Sequence, residues 1–283
     1  MFWWKSRMER LLNEVLPSEL FDIRRDGIGS IELAGRRLDL DLSHVHERRY
    51  LVDYLFKRYN PDVALLSALI NTVTIAGDSV LDVGANIGLT ALLFLGGGAR
   101  SVTAVEPKPD LFERLKRLDP AVSVIPSALN NTSGTVQLAV AAHNNETHTL
   151  MSGPSRPRPP AAVSEYIPVS AMTLDDVCPE EHFNIWKLSV EGAEVRILDG
   201  ARGSFYARPP RCIIVTSDQD RIRKIAKMLA PTHPYQYRAL LRSDACSLTF
   251  VPVSLPHAHV TFEPTKQIFV FMSISADSNL LFR

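Results

Sequence analysis

Cysteine is scarce and poorly placed for a structural role. Cys178, Cys212 and Cys246 are the only three in 283 residues, they lie far apart, and no C-x-x-C pair occurs. An odd, scattered set argues against a disulfide framework or a zinc site and leaves buried thiols in a reducing, cytoplasmic setting. Long apolar runs are missing too: no stretch approaches the ~18 residues of a membrane span, and no signal core of roughly 7–15 apolar residues opens the chain. Without a secretory context the glycosylation sequons at Asn130, Asn131 and Asn145 read as accidental. Charge of one sign is also absent. Lys and Arg total 31, as do Asp and Glu, so no global field favours nucleic acid or an anionic membrane. What is present, at 46% hydrophobic content, suffices for one large α/β core plus an accessory segment.

The rest of the chain is organised around residues 79–98. The apolar run Val80-Leu81-Asp82-Val83 reads as a buried strand, it stops at Gly84-Ala85-Asn86-Ile87-Gly88, and a helical pattern of Leu89, Leu92, Leu93 and Leu95 follows at once. Glycine at 84 and 88 permits backbone angles closed to other residues and lets a ligand lie against main chain, beside the unpaired N–H groups of a new helix. The turn is D-x-G-x-x-x-G with no lysine, unlike the G-x-G-x-x-G and G-x-x-x-x-G-K-[ST] patterns that hold phosphate. A second strand, 101–105, ends in Glu106-Pro107, and an acid there suits the two hydroxyls of a ribose. Asp82 and Glu106 together suggest a nucleoside with an amino-acid tail, S-adenosylmethionine (SAM). The expected cofactor contacts are Asp82, Gly84, Ala85, Asn86, Gly88 and Glu106, with Ala128 and Leu129 beyond the third strand on the adenine side. A nucleotide-dependent oxidoreductase is the weaker alternative on this glycine pattern.

Three further segments extend the pattern: Thr173-Leu174-Asp175-Asp176, Lys187-Leu188-Ser189-Val190-Glu191-Gly192-Ala193-Glu194, and Leu198-Asp199-Gly200-Ala201. In this order, after DVGANIG and VEP, they resemble the FkbM-family methyltransferases over about residues 78–215. The resemblance implies a doubly wound, Rossmann-like class I methyltransferase sheet. It also implies a SAM-dependent O-methyltransferase acting on a hydroxyl of a small molecule or glycan, such as a sugar or polyketide-like acceptor. Two positions depart from the family: Ser189 stands where its members carry aspartate, and Thr216 where they often carry glutamate. Those losses keep open a second reading, a SAM-binding regulatory or assembly protein that has lost catalysis. No metal ligands are assigned, and Asp218, two residues past Thr216, is the substitute acid on the substrate side.

Alternation along 186–191 sends Trp186, Leu188 and Val190 to one face and Lys187, Ser189 and Glu191 to the other. Ligands of open α/β sheets bind outside the carboxyl ends of the strands. Lys187 and Glu191 are therefore the expected catalytic pair, Glu191 taking the acceptor's proton, with an ion pair between them as the structural alternative and Ser189 beside them on the substrate side. Glu194 falls in the first turn of the next helix, where its charge suits the helix dipole. Thr173 and Asp176 have the spacing of a helix cap.

Residues 1–60 read as a small α+β prelude and 61–283 as the methyltransferase domain. Residues 1–20 form an amphipathic helix with three fates open to it: packing on the core, which is the commonest, joining a second subunit into a homo-oligomer, or resting on a membrane surface. Residues 22–43 alternate around Asp26-Gly27 and Ala34-Gly35 as short antiparallel strands. His44 and His46 follow and, if the prelude folds over the cleft, could meet the substrate as a general base. The proline-rich stretch 154–160, with Arg156 and Arg158, reads as an exposed loop.

Overall fold

The computed structural model describes residues 27–55, 61–141, 148–151, 163–231, 235–242, 248–252 and 267–273. The amphipathic helix expected over 1–20, the proline-rich loop with Arg156 and Arg158, Asn145 and Cys246 lie outside them.

Five strands run parallel: β3 (Ser79–Val83), β4 (Ser101–Val105), β5 (Val122–Ile125), β10 (Ile185–Leu188) and β11 (Cys212–Ser217), in the spatial order β11-β10-β3-β4-β5. The sheet continues past β11 with β14 (Gln267–Ser273), antiparallel to it, then β12 (Tyr235–Arg242) and β13 (Leu248–Pro252). These parallel strands read as near-continuous apolar runs because both of their faces are covered. Leu81, Val83, Trp186, Leu188, Ile213 and Val215 join the core on one face. Val80, Ile185, Ile214 and Val102 join the core on the other. The doubly wound sheet expected from the sequence is therefore present.

Helices α2 (Pro61–Val73), α3 (Leu89–Gly96) and α4 (Pro109–Leu115) lead into or connect the first strands. The later ones are α5 (Leu174–Val177), α6 (Glu194–Asp199), α7 (Arg202–Ala207) and α8 (Gln219–Leu229).

A second sheet, of which the sequence marks only 134–142 as an outer hairpin strand, has the order β6-β9-β7-β8. It comprises β6 (Ala128–Leu129), β7 (Gly134–Ala141), β8 (Thr149–Met151) and β9 (Val163–Met172). Its apolar face, with Leu138, Val140, Leu150, Val169 and Ala171, belongs to the same core as Trp186 and Leu188.

At the other end the hairpin β1 (Ile28–Leu33) and β2 (Arg36–Asp41) closes through Ala34 and Gly35, both at positive φ (52° and 72°), the turn geometry that matches strand twist. Leu38, Leu40 and Leu42 are buried against the core that holds Leu69 and Phe94. Helix α1 (Val45–Leu55) follows. Its Glu47 is fully buried, and both its oxygens are held by Arg114 of α4, at 2.7 and 3.2 Å.

Candidate active site

The glycine turn bends back over β4. The N–H groups of Gly84 and Ala85 both donate to the Val105 carbonyl, at 3.0 and 3.2 Å. Gly84 has φ +76°, and a Cβ there would stand 2.2 Å from the Ser189 carbonyl oxygen. The glycine is thus demanded by the approach of the β10 end as well as by its dihedral angle. Gly88 starts α3 at φ +91°, where a Cβ would meet Leu118 and Leu115 at 2.4 and 2.9 Å. Asn86 adopts φ +53°, a region its short polar side chain tolerates. Its N–H donates to Glu106 Oε2 at 3.0 Å, and the N–H of Lys108 donates to Oε1 at 3.0 Å. Burial nevertheless pushes the Glu106 carboxyl up to about 7, against the two N–H donors and the charges of Lys187 and Lys108.

These elements open onto a cleft that encloses about 620 Å³, part of it open to solvent. Gly84, Asn86, Glu106 and Pro107 form one side. Ala128, Leu129, Leu138, Leu150 and His148 line it from the second sheet and its flank. Ser189, Val190, Glu191 and Ala193 line it from the end of β10. Seven of the residues predicted from the sequence therefore share one cleft: Gly84, Asn86, Glu106, Ala128, Leu129, Ser189 and Glu191.

Asp82, Ala85, Gly88 and Lys187 are not on its walls. Asp82 and Lys187 face each other in register on adjacent strands, on the sheet face opposite Leu81 and Trp186. Lys187 Nζ lies 2.9 Å from Asp82 Oδ1 and donates to the Gly84 carbonyl at 2.9 Å, while Thr90 donates its hydroxyl to Asp82 Oδ2. The ammonium expected at the acceptor is thus engaged beneath the glycine turn, and the buried carboxylate expected at the cofactor is its partner. Alternation misled because β10 ends at Leu188, after which Ser189, Val190 and Glu191 all turn to the cleft.

Asp218 likewise does not line the cleft. It caps α8, accepting from the Arg221 N–H at 2.9 Å and pairing with that guanidinium at 2.6 Å. His44 and His46 stand before and within α1, their rings 6.1 Å apart, and do not line the cleft. His148 was missed. It sits in a polar stretch with no periodicity, and only the pairing of 149–151 with β7 brings it over the cleft.

Glu194 stands in the first turn of α6, as the sequence suggests, and is buried there, 1% exposed. Its Oε1 accepts weakly from the Gly192 N–H at 3.3 Å and its Oε2 has no hydrogen-bond partner among the described residues. Burial pushes it up to about 7. Cys178 and Cys212 are buried thiols, pushed up to about 11 and about 12 by burial, values that make them unreactive. Among the described residues no group of three or more His, Cys, Asp or Glu side chains is arranged to hold a metal ion, and no helix is long and apolar enough to cross a membrane.

The remaining shared segments are structural. Thr173 caps α5 by accepting from the Asp176 N–H at 3.0 Å. Asp175 accepts from the N–H groups of Gly203 and Ser204 at the start of α7, at 2.8 and 2.7 Å. Gly200 packs against the backbone of Asn130, where a Cβ would stand 2.1 Å from the carbonyl oxygen.

The sheet order, with one antiparallel strand inserted at β14, the glycine turn after the first parallel strand and the acid ending the second, define a class I methyltransferase fold. The chain belongs to the FkbM methyltransferase family: the model of the methyltransferase FkbM domain matches residues 82–238, more than half of it. No curated protein matches the chain. It is similar to the solved structure of M. jannaschii TYW2 in complex with AdoMet (10% identity, 89% of each chain covered, TM-score 0.44). It is also similar to the ribosomal protein L11 methylase of Lactobacillus delbrueckii subsp. bulgaricus (13%, 76% of this chain and 79% of that one, TM-score 0.41). A third is the C-terminal domain of precorrin-6Y C5,15-methyltransferase from Rhodobacter capsulatus (10%, 75% and 87%, TM-score 0.37).

Proposed function

We propose that this methyltransferase uses SAM to methylate a hydroxyl of a small-molecule or glycan acceptor. The reading is carried by the convergence of the glycine turn, Glu106 and Glu191 on one cleft with an apolar wall. The residues present fit an adenosyl group: Glu106 would hold the ribose hydroxyls, Ala128, Leu129, Leu138 and Leu150 the purine, and the Gly84–Asn86 backbone the amino-acid end. When bound, SAM supplies an electrophilic methyl group on its sulfonium. The protein's first task is alignment, which can supply about 7–11 kcal/mol of the barrier. Its second is the alcohol proton, for which Glu191 is the carboxylate lining the acceptor side. Lys187 fixes the turn through Asp82 and the Gly84 carbonyl, and its charge acts on Glu106.

Ser189, Thr216 and the commitment of Asp218 to a helix cap favour one second reading, a SAM-binding protein without turnover, in which Ser189→Asp would restore activity.

Calorimetric titration with SAM and S-adenosylhomocysteine, with and without Mg²⁺, is the test. Micromolar binding is expected for both, with Glu191→Gln leaving affinity nearly unchanged and removing most turnover on a hydroxylated acceptor. Binding of neither would overturn both readings. Full turnover by Glu191→Gln would remove Glu191 from its role.

A further inference from the structure

We propose that Thr90, Asp82 and Lys187 form a buried relay that positions the glycine turn for the amino-acid half of the cofactor, each acting through the next. The proposal rests on the reading of the cleft as a SAM site. Asp82 is fully buried, Lys187 and Thr90 are 7% and 8% exposed, and none of the three lines the cleft. They are positioning residues. Thr90, in the first turn of α3, donates its hydroxyl to Asp82 Oδ2, and Asp82 Oδ1 lies 2.9 Å from Lys187 Nζ across the β3–β10 register. The ammonium in turn donates to the Gly84 carbonyl at 2.9 Å. The other end of that peptide unit is held too, since the Ala85 N–H donates to the Val105 carbonyl at 3.2 Å. Both ends of the Gly84–Ala85 peptide are thus tied, and its plane is set.

A buried ion pair contributes little net stability compared with apolar residues of similar volume. Holding the sheet together therefore does not account for this one. What the pair supplies, and apolar residues would not, is a charged donor to a main-chain carbonyl of the ligand-bearing turn. A turn whose backbone is fixed beforehand loses less freedom when the ligand arrives. The part of the ligand that gains is the part laid against Gly84–Asn86, the amino-acid end, while ribose and purine are left to Glu106 and the second sheet. The same lysine stands on the strand whose end carries Ser189, and the Ser189 N–H donates to the Val83 carbonyl at 3.1 Å. The turn and the acceptor wall are thereby fixed to one another at the seam of β3 and β10.

The test titrates S-adenosylhomocysteine, which carries the amino-acid end, and 5′-methylthioadenosine, which lacks it, into three proteins. These are wild type, Thr90→Val, and Asp82→Asn combined with Lys187→Met. The pH is 8.5, above the value of about 7 for Glu106, because the charge of Lys187 also acts on that carboxyl. Replacing both members of the pair leaves no uncompensated charge, and Thr90→Val removes one hydroxyl only, so both variants are expected to remain folded. The preference for S-adenosylhomocysteine over 5′-methylthioadenosine should fall about tenfold in the double variant and about three- to fivefold in Thr90→Val. Should the double variant not fold, the ratio in Thr90→Val decides alone. An unchanged ratio would overturn the proposal even if both ligands weakened together, and would make the three residues a support of the sheet. Failure of the wild-type protein to bind either ligand would instead remove the cofactor reading, and this inference with it.

Discussion

Glu106 and Glu194 are both raised to about 7, by burial first in each case, and they differ in their compensation. Glu106 accepts from two backbone N–H groups. Glu194 has the single long bond from Gly192, while Arg221 favours its charge and Glu191 opposes it. The sign of the stability effect follows. A carboxyl whose folded value lies above the ordinary 4.5 holds a proton in the folded state that the unfolded chain releases, so stability falls as pH rises from about 4.5 to about 7. A rise of that size corresponds to about 3 kcal/mol for Glu194 above neutrality. Glu194→Gln is isosteric with the protonated form and escapes the penalty. It should melt with the wild type at pH 5 and higher by about 5–10 °C at pH 8. Thermal scans at the two pH values decide it, and an equal difference at both would show that ionisation of Glu194 is not what limits stability. For nucleoside binding the same logic applies to Glu106. Affinity for SAM should weaken below about pH 7 as the carboxyl takes up its proton, and Glu106→Gln should flatten that dependence in a calorimetric pH series.

At the scale of elements, the motif that reads as a family signature is a clasp around β6. Asp175 joins α5 to the start of α7, and Gly200 lies against the Asn130 backbone directly after the strand that lines the cleft. Gly200 has φ −83°, so alanine meets no dihedral strain there, only the collision with the carbonyl oxygen. Gly200→Ala should cost about 1–3 kcal/mol by overpacking and weaken cofactor binding through β6, to be read as a lower denaturant midpoint and a higher Kd. A midpoint equal to wild type would show that the backbones can separate freely. The parallel strands and their helices were legible because a strand buried on both faces writes a continuous apolar run. The second sheet was not. Strands β6 and β8 have two and three residues, and β9 carries Pro168 along with Ser164, Glu165 and Ser170, so their pairing depends on partners tens of residues away. For the same reason the glycine turn, Glu106 and Glu191 could be read from local motifs. His148 and the Asp82–Lys187 pair could not, because their surroundings are set by register between distant strands.

Taken as a whole, the molecule has no net charge, yet its charges are placed to join units that share little local sequence logic. The prelude is fastened at Glu47. Its carboxylate accepts from the Asp41 N–H at 2.7 Å and is gripped by Arg114, whose Nη2 also donates to the Asp39 carbonyl at 2.6 Å. One guanidinium thus ties α1 and the end of the hairpin to α4, six residues beyond the lysine whose N–H caps Glu106. Removing one member of a buried pair leaves the other charge uncompensated and costs about 3–5 kcal/mol, whereas replacing both with apolar groups is often neutral. Arg114→Leu and Glu47→Met should therefore each destabilise strongly, and the two combined should recover most of the loss, as measured by denaturant unfolding of the three variants and the wild type. If the clamp also sets the rim, the Arg114→Leu variant should weaken cofactor binding at temperatures where it remains folded, since Arg114 lies on the helix whose N-cap is Lys108, and the Lys108 N–H donates to Glu106. Additive effects of the two substitutions would show that the pair is no clamp. Recovery of stability without recovery of affinity would show that the apolar replacement holds the prelude but not the cleft's edge.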